Sequence, residues 1–205
     1  RIRRISAERV LGELTGQPLQ LASGTAEAAS EVCLLLTPRL RLLHQQKVRV
    51  AKRIDAVLDQ LAAPTDGDPW RGHRDVELLR SLPGVGRVVA ATMLAEAAQP
   101  LASRDYHALR AYGGIAPVTR QSGKKRQVVM RYGCNLRLRN VLYHWARVSM
   151  QRDERTRQHY HRLRRSGHSH GRALREVADR LLAVLIAMLN QQTSFDPQRR
   201  RAVMG

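Results

Sequence analysis

The chain has 205 residues, long enough for one ordinary domain plus an appended helical segment, and its 43% hydrophobic content excludes a disordered polymer. Aromatic residues make up only 4%, so a core has to be built from Leu, Val, Ala and Ile. Lys and Arg number 36 against 17 acids, a formal net charge of +19, which makes a polyanion the leading partner because basic surface displaces condensed counterions from phosphates.

The first thirty residues predict a short helix around Ala7 to Leu14 and a loop through Ser23. Thr37, as N-cap with Pro38 at the first helical position, then opens a helix through Leu61. Within it Leu43, Val50 and Val57 recur every seven residues, interleaved with Leu40, Lys47, Ile54 and Leu61. Such a seam reads as a coiled-coil arm, with an amphipathic helix packed on its own domain as the other reading. Residues 1–63 are therefore a helical arm, and AAPTDGDPWRGH, rich in Pro, Gly and Asp, marks a linker over 64–75.

A domain over 76–190 follows. Asp75, or the residues just before it, starts a helix through Leu79, and SLPGVG turns the chain sharply into a second helix from Arg87 to Ala97. A glycine turn at a helix N-terminus lets an anion approach free N–H groups, so Gly84, Gly86 and Arg87 read either as a phosphate seat or as a tight corner. LPGVG also resembles the hairpin of helix-hairpin-helix modules. Ser103 then predicts the cap of a short helix closed by Gly113 and Gly114, and from Pro117 helical periodicity is lost. QVVMR suggests a short strand, and Asn135 caps a helix carrying Leu138, Val141, Leu142, Trp145 and Val148. The final amphipathic helix carries Leu174, Val177, Leu181, Leu185 and Met188, and 191–205 read as a flexible tail.

Charge is placed unevenly: from Arg120 to Arg165 there are fourteen Lys or Arg against Asp153 and Glu154. Paired carboxylates for a two-metal site are not evident, since Asp66, Asp68, Asp75 and Glu77 lie in or beside the linker. His159, His161, His168 and His170 read as a solvated basic segment. Cys33 and Cys134 lack metal or disulfide spacing, which fits a reducing cytoplasm, and LLAVLIAML is too short to span a bilayer. Ser122 in TRQSGKKRQ could attack a phosphodiester with Arg120, Lys124, Lys125 and Arg126 offsetting charge on the phosphoryl oxygens. By itself, the same stretch reads rather as a flexible loop whose lysines only touch phosphates.

Four segments in order, LPGVGRVVAATMLAE, ALRAYGGIAP, QSGKK and MRYGCNLRLRNVLY, followed by the amphipathic helix, resemble the C-terminal half of IS110-type insertion-sequence transposases. The resemblance covers Val76 to Asn190, and the Thr37 to Leu61 helix is similar to that family's coiled-coil segment. These are bridge-RNA-guided recombinases that pair a DEDD nuclease-like domain with a serine-bearing domain. The resemblance implies Ser122 as nucleophile, Gly84 and Gly86 as the glycine hairpin, and Gly133, Asn135, Leu138 and Arg139 as its G-N-x-x-L-R element. Basic residues from Lys124 to Arg139, with Arg131 and Arg137 among them, would then touch DNA or guide RNA.

Nothing in residues 1–60 resembles the DEDD strands, and the chain begins with Arg1 rather than Met. The expectation is thus an all-α protein: a coiled-coil-like arm, then a compact helical domain with a helix-hairpin-helix and a short irregular or two-stranded insertion. It would be the C-terminal part of a DNA transposase or site-specific recombinase, inactive alone. No cofactor is expected in this chain, with Mg2+ arriving only with the absent DEDD domain. DNA, guide RNA and further copies of the chain are the expected partners, no membrane is, and the location is cytoplasmic and nucleoid-associated. The competing expectation is a non-catalytic nucleic-acid-binding helix-hairpin-helix module.

Overall fold

The structure, a computed structural model, describes residues 6–16, 22–63, 72–123 and 125–197, leaving aside the side chains of residues 7, 13–16 and 72–74. Described residues form nine helices and one hairpin: α1 (Ala7–Gly16), α2 (Thr25–Ala62), α3 (Gly72–Ser81), α4 (Arg87–Glu96), α5 (Ala98–Ala102), α6 (Tyr106–Tyr112), β1 (Val118–Ser122), β2 (Lys125–Val129), α7 (Leu136–Arg152), α8 (Glu154–Arg165) and α9 (His170–Gln191). The protein is mainly α, as expected. The chain divides into two units, Arg1–Val50 and Ala51–Gly205.

In the first unit, α2 begins twelve residues before the expected cap, so Thr37 and Pro38 lie inside a helix of 38 residues. The helix survives a proline because strong helix formers flank it, Ala26 to Ala29 before and Leu40 to Lys47 after. Thr37 does not cap: its Oγ1 donates back to the Cys33 carbonyl at 2.7 Å, the bond a mid-helix threonine makes. The expected seam lies open in the single chain, with Leu40, Leu43 and Val50 exposed by 63%, 60% and 56%. Extended backwards by one heptad the seam reaches Cys33 and Leu36, both exposed.

The second unit buries one core. Leu58 of α2 is 2% exposed with Ile54 packed beside it, so in its last turns α2 is an amphipathic helix of this unit, the other reading of the seven-residue spacing. Leu138, Leu142, Trp145 and Ala146 of α7 and Leu174, Val177, Leu181 and Leu185 of α9 fill the centre. They recur at three- and four-residue steps, so each helix turns one continuous apolar face inward. Val76 and Leu79 of α3, Leu82 of the turn after it, and Val89, Ala90 and Met93 of α4 close the core.

Two caps differ from expectation. Asp105, not Ser103, caps α6, its Oδ1 accepting the Ala108 N–H at 2.9 Å. Ser103 instead ends α5, a short helix hidden in the sequence by Pro100, with its hydroxyl donating to the Gln99 carbonyl at 3.1 Å. Both residue types can cap, and only the path of the chain selects between neighbours two positions apart. Asn135 caps α7 as expected, accepting from the Leu138 N–H at 3.0 Å. After α9, Phe195 packs against the core and its N–H donates to Ser81 Oγ at 3.0 Å, so the segment following α9 is docked at least that far. Residues 198–205, and Asp66 and Asp68 of the linker, lie outside the described residues.

Candidate functional site

The turn between α3 and α4 is built on Pro83 and Gly84. The Val85 N–H donates to the Leu82 carbonyl at 3.2 Å, and Gly84 has φ +84, the pattern of Pro then Gly at the centre of a type II turn. Helix α7 clamps that turn. Trp145 Nε1 and Ser149 Oγ both donate to the Pro83 carbonyl, at 3.0 and 2.6 Å, and Ser149 is fully buried. A Cβ on Gly84 would stand 2.7 Å from Ser149 Oγ and 2.8 Å from its backbone N. Gly84 therefore faces the protein.

Gly86 differs. It is the N-cap of α4 with ordinary extended backbone, no side chain caps that helix end, and a Cβ there would meet nothing within 4 Å. Of the two glycines, only Gly86 opens a helix N-terminus to an approaching anion. Arg87, beside it, pairs with Asp55 Oδ2 at 2.8 Å in a half-exposed ion pair.

The segment expected as an irregular or two-stranded insertion is an antiparallel hairpin pairing Val118 with Val129 through Ser122 with Lys125. Strong β formers at Val118, Thr119, Val128 and Val129 supply the strands, and Gly123, at φ +56, supplies the backbone that a two-residue hairpin loop requires. Ser122 is thus the last residue of its strand, exposed at the tip. Because side chains alternate along a strand, Ser122 shares its face with Arg120 and with Lys125, its cross-strand partner. Arg126, opposite Gln121, projects to the other face. Lys124 lies outside the described residues. Among the described residues the Ser122 hydroxyl has no hydrogen-bond partner.

A junction of side chains supports the hairpin's return. Arg139 Nη2 donates to the Arg131 carbonyl at 2.5 Å and, more distantly, to the Tyr132 carbonyl, and Arg131 Nε reaches the Ala116 carbonyl at 3.4 Å. The Asn135 N–H donates to the Tyr112 carbonyl at 2.9 Å, while its Nδ2 donates to Glu96 Oε2 at 2.7 Å and the Tyr112 hydroxyl at 3.1 Å. Arg137 reaches Glu96 Oε1 at 3.1 Å with its side chain 83% exposed. The Asn135 amide, and then the Arg137 guanidinium, hold the Glu96 carboxyl below the usual carboxylate range. Asn135, Arg139 and the Arg131 carbonyl are thereby engaged within the protein, whereas Arg120, Lys125, Arg126 and Arg137 project from it.

At the base of the hairpin a cleft of about 200 Å³ opens beside Met130, Arg172 and Arg175. Its floor is a closed network: Arg110 grips Asp179 with two nitrogens, at 2.9 and 2.5 Å, and the Tyr106 hydroxyl donates to the same carboxylate at 2.8 Å. Burial, then that carboxylate, pushes the Tyr106 phenol up to about 12.

No group of three or more His, Cys, Asp or Glu converges among the described residues. Asp75, one of the acids beside the linker, is held by Arg104 at 2.6 Å. His159 is pushed below the usual imidazole range by burial and then by Arg180 and Arg162, and His170 Nδ1 shares a hydrogen bond with the Tyr160 hydroxyl at 2.7 Å. No described helix is long and apolar enough to cross a membrane.

Residues 76–162, which hold the clamped turn, the hairpin and the junction, match the family model of the IS116/IS110/IS902 transposases. The chain belongs to this transposase family. It is 36% identical over 158 residues to the IS117 mini-circle protein of Streptomyces coelicolor, a match covering 75% of this chain and 38% of that relative. To the IS900 42 kDa protein of Mycobacterium paratuberculosis it is 33% identical over 184 residues, covering 85% of this chain and 45% of the relative. The IS116 44.8 kDa protein of Streptomyces clavuligerus is 35% identical over 133 residues, 63% and 33% of the two chains. The chain thus spans less than half the length of these relatives. Within the transposase domain, Trp145, Ser149, Glu96 and Tyr112 carry geometry that sequence reasoning did not assign. One signal was available: an indole N–H in the middle of an apolar helical face needs a buried acceptor, and the Pro83 carbonyl is it.

Proposed function

We propose that this chain supplies the serine-bearing part of a transposase strand-exchange site, with Ser122 as nucleophile. The observation that carries the reading is the placement of Ser122 at the tip of a basic hairpin, on one face with Arg120 and Lys125. In the proposed step Ser122 Oγ bonds to phosphorus as the bond from phosphorus to a deoxyribose oxygen breaks. The serine proton passes to a base supplied from outside the described residues, and the leaving oxygen takes up a proton to become a hydroxyl. Arg120 and Lys125 offset the charge that develops on the non-bridging oxygens.

DNA lies along the hairpin and the open Gly86 end of α4, an arrangement like a helix-hairpin-helix module, with Arg126 and Arg137 on neighbouring phosphates. Guide RNA, suggested by the family resemblance and the +19 charge, would use the same basic surface. Mg2+ would be held by carboxylates that these described residues do not bring together. The exposed Leu40, Leu43 and Val50 stripe of α2 suits a coiled coil between copies, which would coordinate several strand cuts.

The test is covalent trapping on nicked DNA, with the protein completed by the remainder of a relative's chain and by guide RNA, wild type beside Ser122→Ala on a denaturing gel. A protein–DNA adduct present in wild type and absent in the variant is expected. DNA bound without any adduct in wild type would reject the nucleophile and leave a binding module.

A further inference from the structure

The chain holds two Trp, five Tyr and one Phe; of these, Trp145 is fully buried, and Tyr106, Tyr160 and Phe195 pack against the core. Two tyrosines do the opposite at one place. Tyr132 is 71% exposed, three residues before Asn135 in the chain, and Tyr112 is 45% exposed, its carbonyl and hydroxyl held by the Asn135 N–H and amide. Leu136, the next residue and the first of α7, is 62% exposed. A protein so poor in aromatics forgoes burial of three large side chains at a single junction, which marks an interaction surface more strongly than scattered exposure would.

The backbone beneath this surface is held in place. Arg139 grips the carbonyls of Arg131 and Tyr132, and Asn135 is bonded to Tyr112 and Glu96, so a ligand meets a pre-ordered platform. The rim is cationic. Arg137 stands beside Leu136 with only a solvent-exposed ion pair to Glu96, a contact that a phosphate can replace at little cost. Upstream, β2 carries Lys125 and Arg126 and runs on through Met130 and Arg131 to Tyr132, so one short stretch of chain joins Ser122's cross-strand partner to the platform.

We infer that Tyr112, Tyr132 and Leu136 form a stacking surface for an unpaired nucleobase of the DNA strand presented to Ser122, with Arg137 on its phosphate. The inference rests on the proposed DNA reading of the hairpin. A flat apolar face accepts any base, and positive charge at its edge follows the backbone, the two parts of single-strand recognition. A paired base has its faces covered by neighbours, so the surface selects a strand that has been opened.

Stacking and phosphate contacts separate by their response to salt. The 205-residue chain is titrated onto a fluorescent 20-nucleotide single-stranded DNA, its duplex, and RNA of the same sequence, across a salt series. Tyr132→Ala is expected to weaken single-stranded DNA binding roughly 10- to 100-fold with an unchanged slope of log affinity against log salt. Tyr132→Phe keeps the ring and stays within about twofold of wild type. Arg137→Gln lowers the salt slope by about 0.7. Duplex affinity does not respond to Tyr132→Ala. Single-stranded affinity indifferent to Tyr132→Ala, an equal loss on duplex, or a larger loss on RNA than on DNA would each overturn the inference. Wild type that binds none of the three nucleic acids at low salt would instead reject the DNA reading on which it rests. Because Tyr132 is exposed, an unchanged thermal melt of Tyr132→Ala separates lost stacking from lost folding.

Discussion

Gly84 and Gly86 look interchangeable in the sequence, and the structure predicts opposite consequences for the same substitution. Gly84→Ala places a methyl group 2.7 Å from Ser149 Oγ and 2.8 Å from the Ser149 backbone N, on a residue whose φ is +84. A left-handed backbone costs a non-glycine residue about 1–2 kcal/mol, and overpacking a tight site adds about 1–3 kcal/mol, so a loss of roughly 2–5 kcal/mol is expected. For a unit of this size each kcal/mol lowers Tm by about 2–4 °C, giving a drop of roughly 4–20 °C. Gly86→Ala meets open space on ordinary backbone, and its stability cost stays under about 1 kcal/mol, within the range of cap effects. Its effect falls on nucleic-acid affinity, because the added methyl stands where a phosphate would approach the α4 N–H groups. The assay is thermal melting and urea unfolding of both variants, followed by DNA titration at one salt concentration. Adding Ser149→Ala to Gly84→Ala should recover only part of the loss, since the clash with the backbone N remains. A Gly84→Ala protein that melts like wild type yet loses DNA binding would refute the clamp and return the phosphate seat to Gly84.

Further outcomes follow from the same geometry. If α2 pairs in parallel and in register, Cys33, one heptad before Leu40, meets its counterpart, and mild oxidation gives a disulfide-linked dimer that Cys33→Ser abolishes. Leu40→Asp with Leu43→Asp should convert that dimer to a monomer by sedimentation, and a wild type that sediments as a monomer would remove the seam. Tyr106, raised from 10 to about 12 in the folded protein, contributes stability that is full below about pH 10 and is lost as pH climbs through about 12. The absorbance titration of wild type minus Tyr106→Phe should show that late phenol, and Asp179→Asn should bring it down by removing the carboxylate that holds its proton. A difference titration centred near 10 would contradict the buried Tyr106–Asp179 bond.

Local physics was legible where a residue acts through its own neighbours. The apolar steps of α7 and α9, the Asn135 cap and the break at Pro83 are dictated by helical period, cap chemistry and backbone geometry, and each stands in the structure as the sequence predicts, whereas the hairpin around Gly123 decides between the irregular and the two-stranded insertion that the sequence left open. The order of four short segments also carried the family, which a match over residues 76–162 then established. Thr37 with Pro38 misled because a proline signal at a helix start is also tolerated inside a long helix, and Ser103 misled because Asp105, two residues on, offers the same cap. Tertiary structure alone decided the rest. Gly84 and Gly86 part company because α7, distant in sequence, lays Trp145 and Ser149 against one of them. Arg120 and Lys125 share a face with Ser122, and Arg126 does not, because strand register sorts side chains that composition counts alike. Asn135, Arg137 and Arg139 are equally polar in the sequence, yet two are bound into the junction and one projects. Contacts between residues far apart in the chain leave no local pattern, and these contacts determine which residues remain available for nucleic acid.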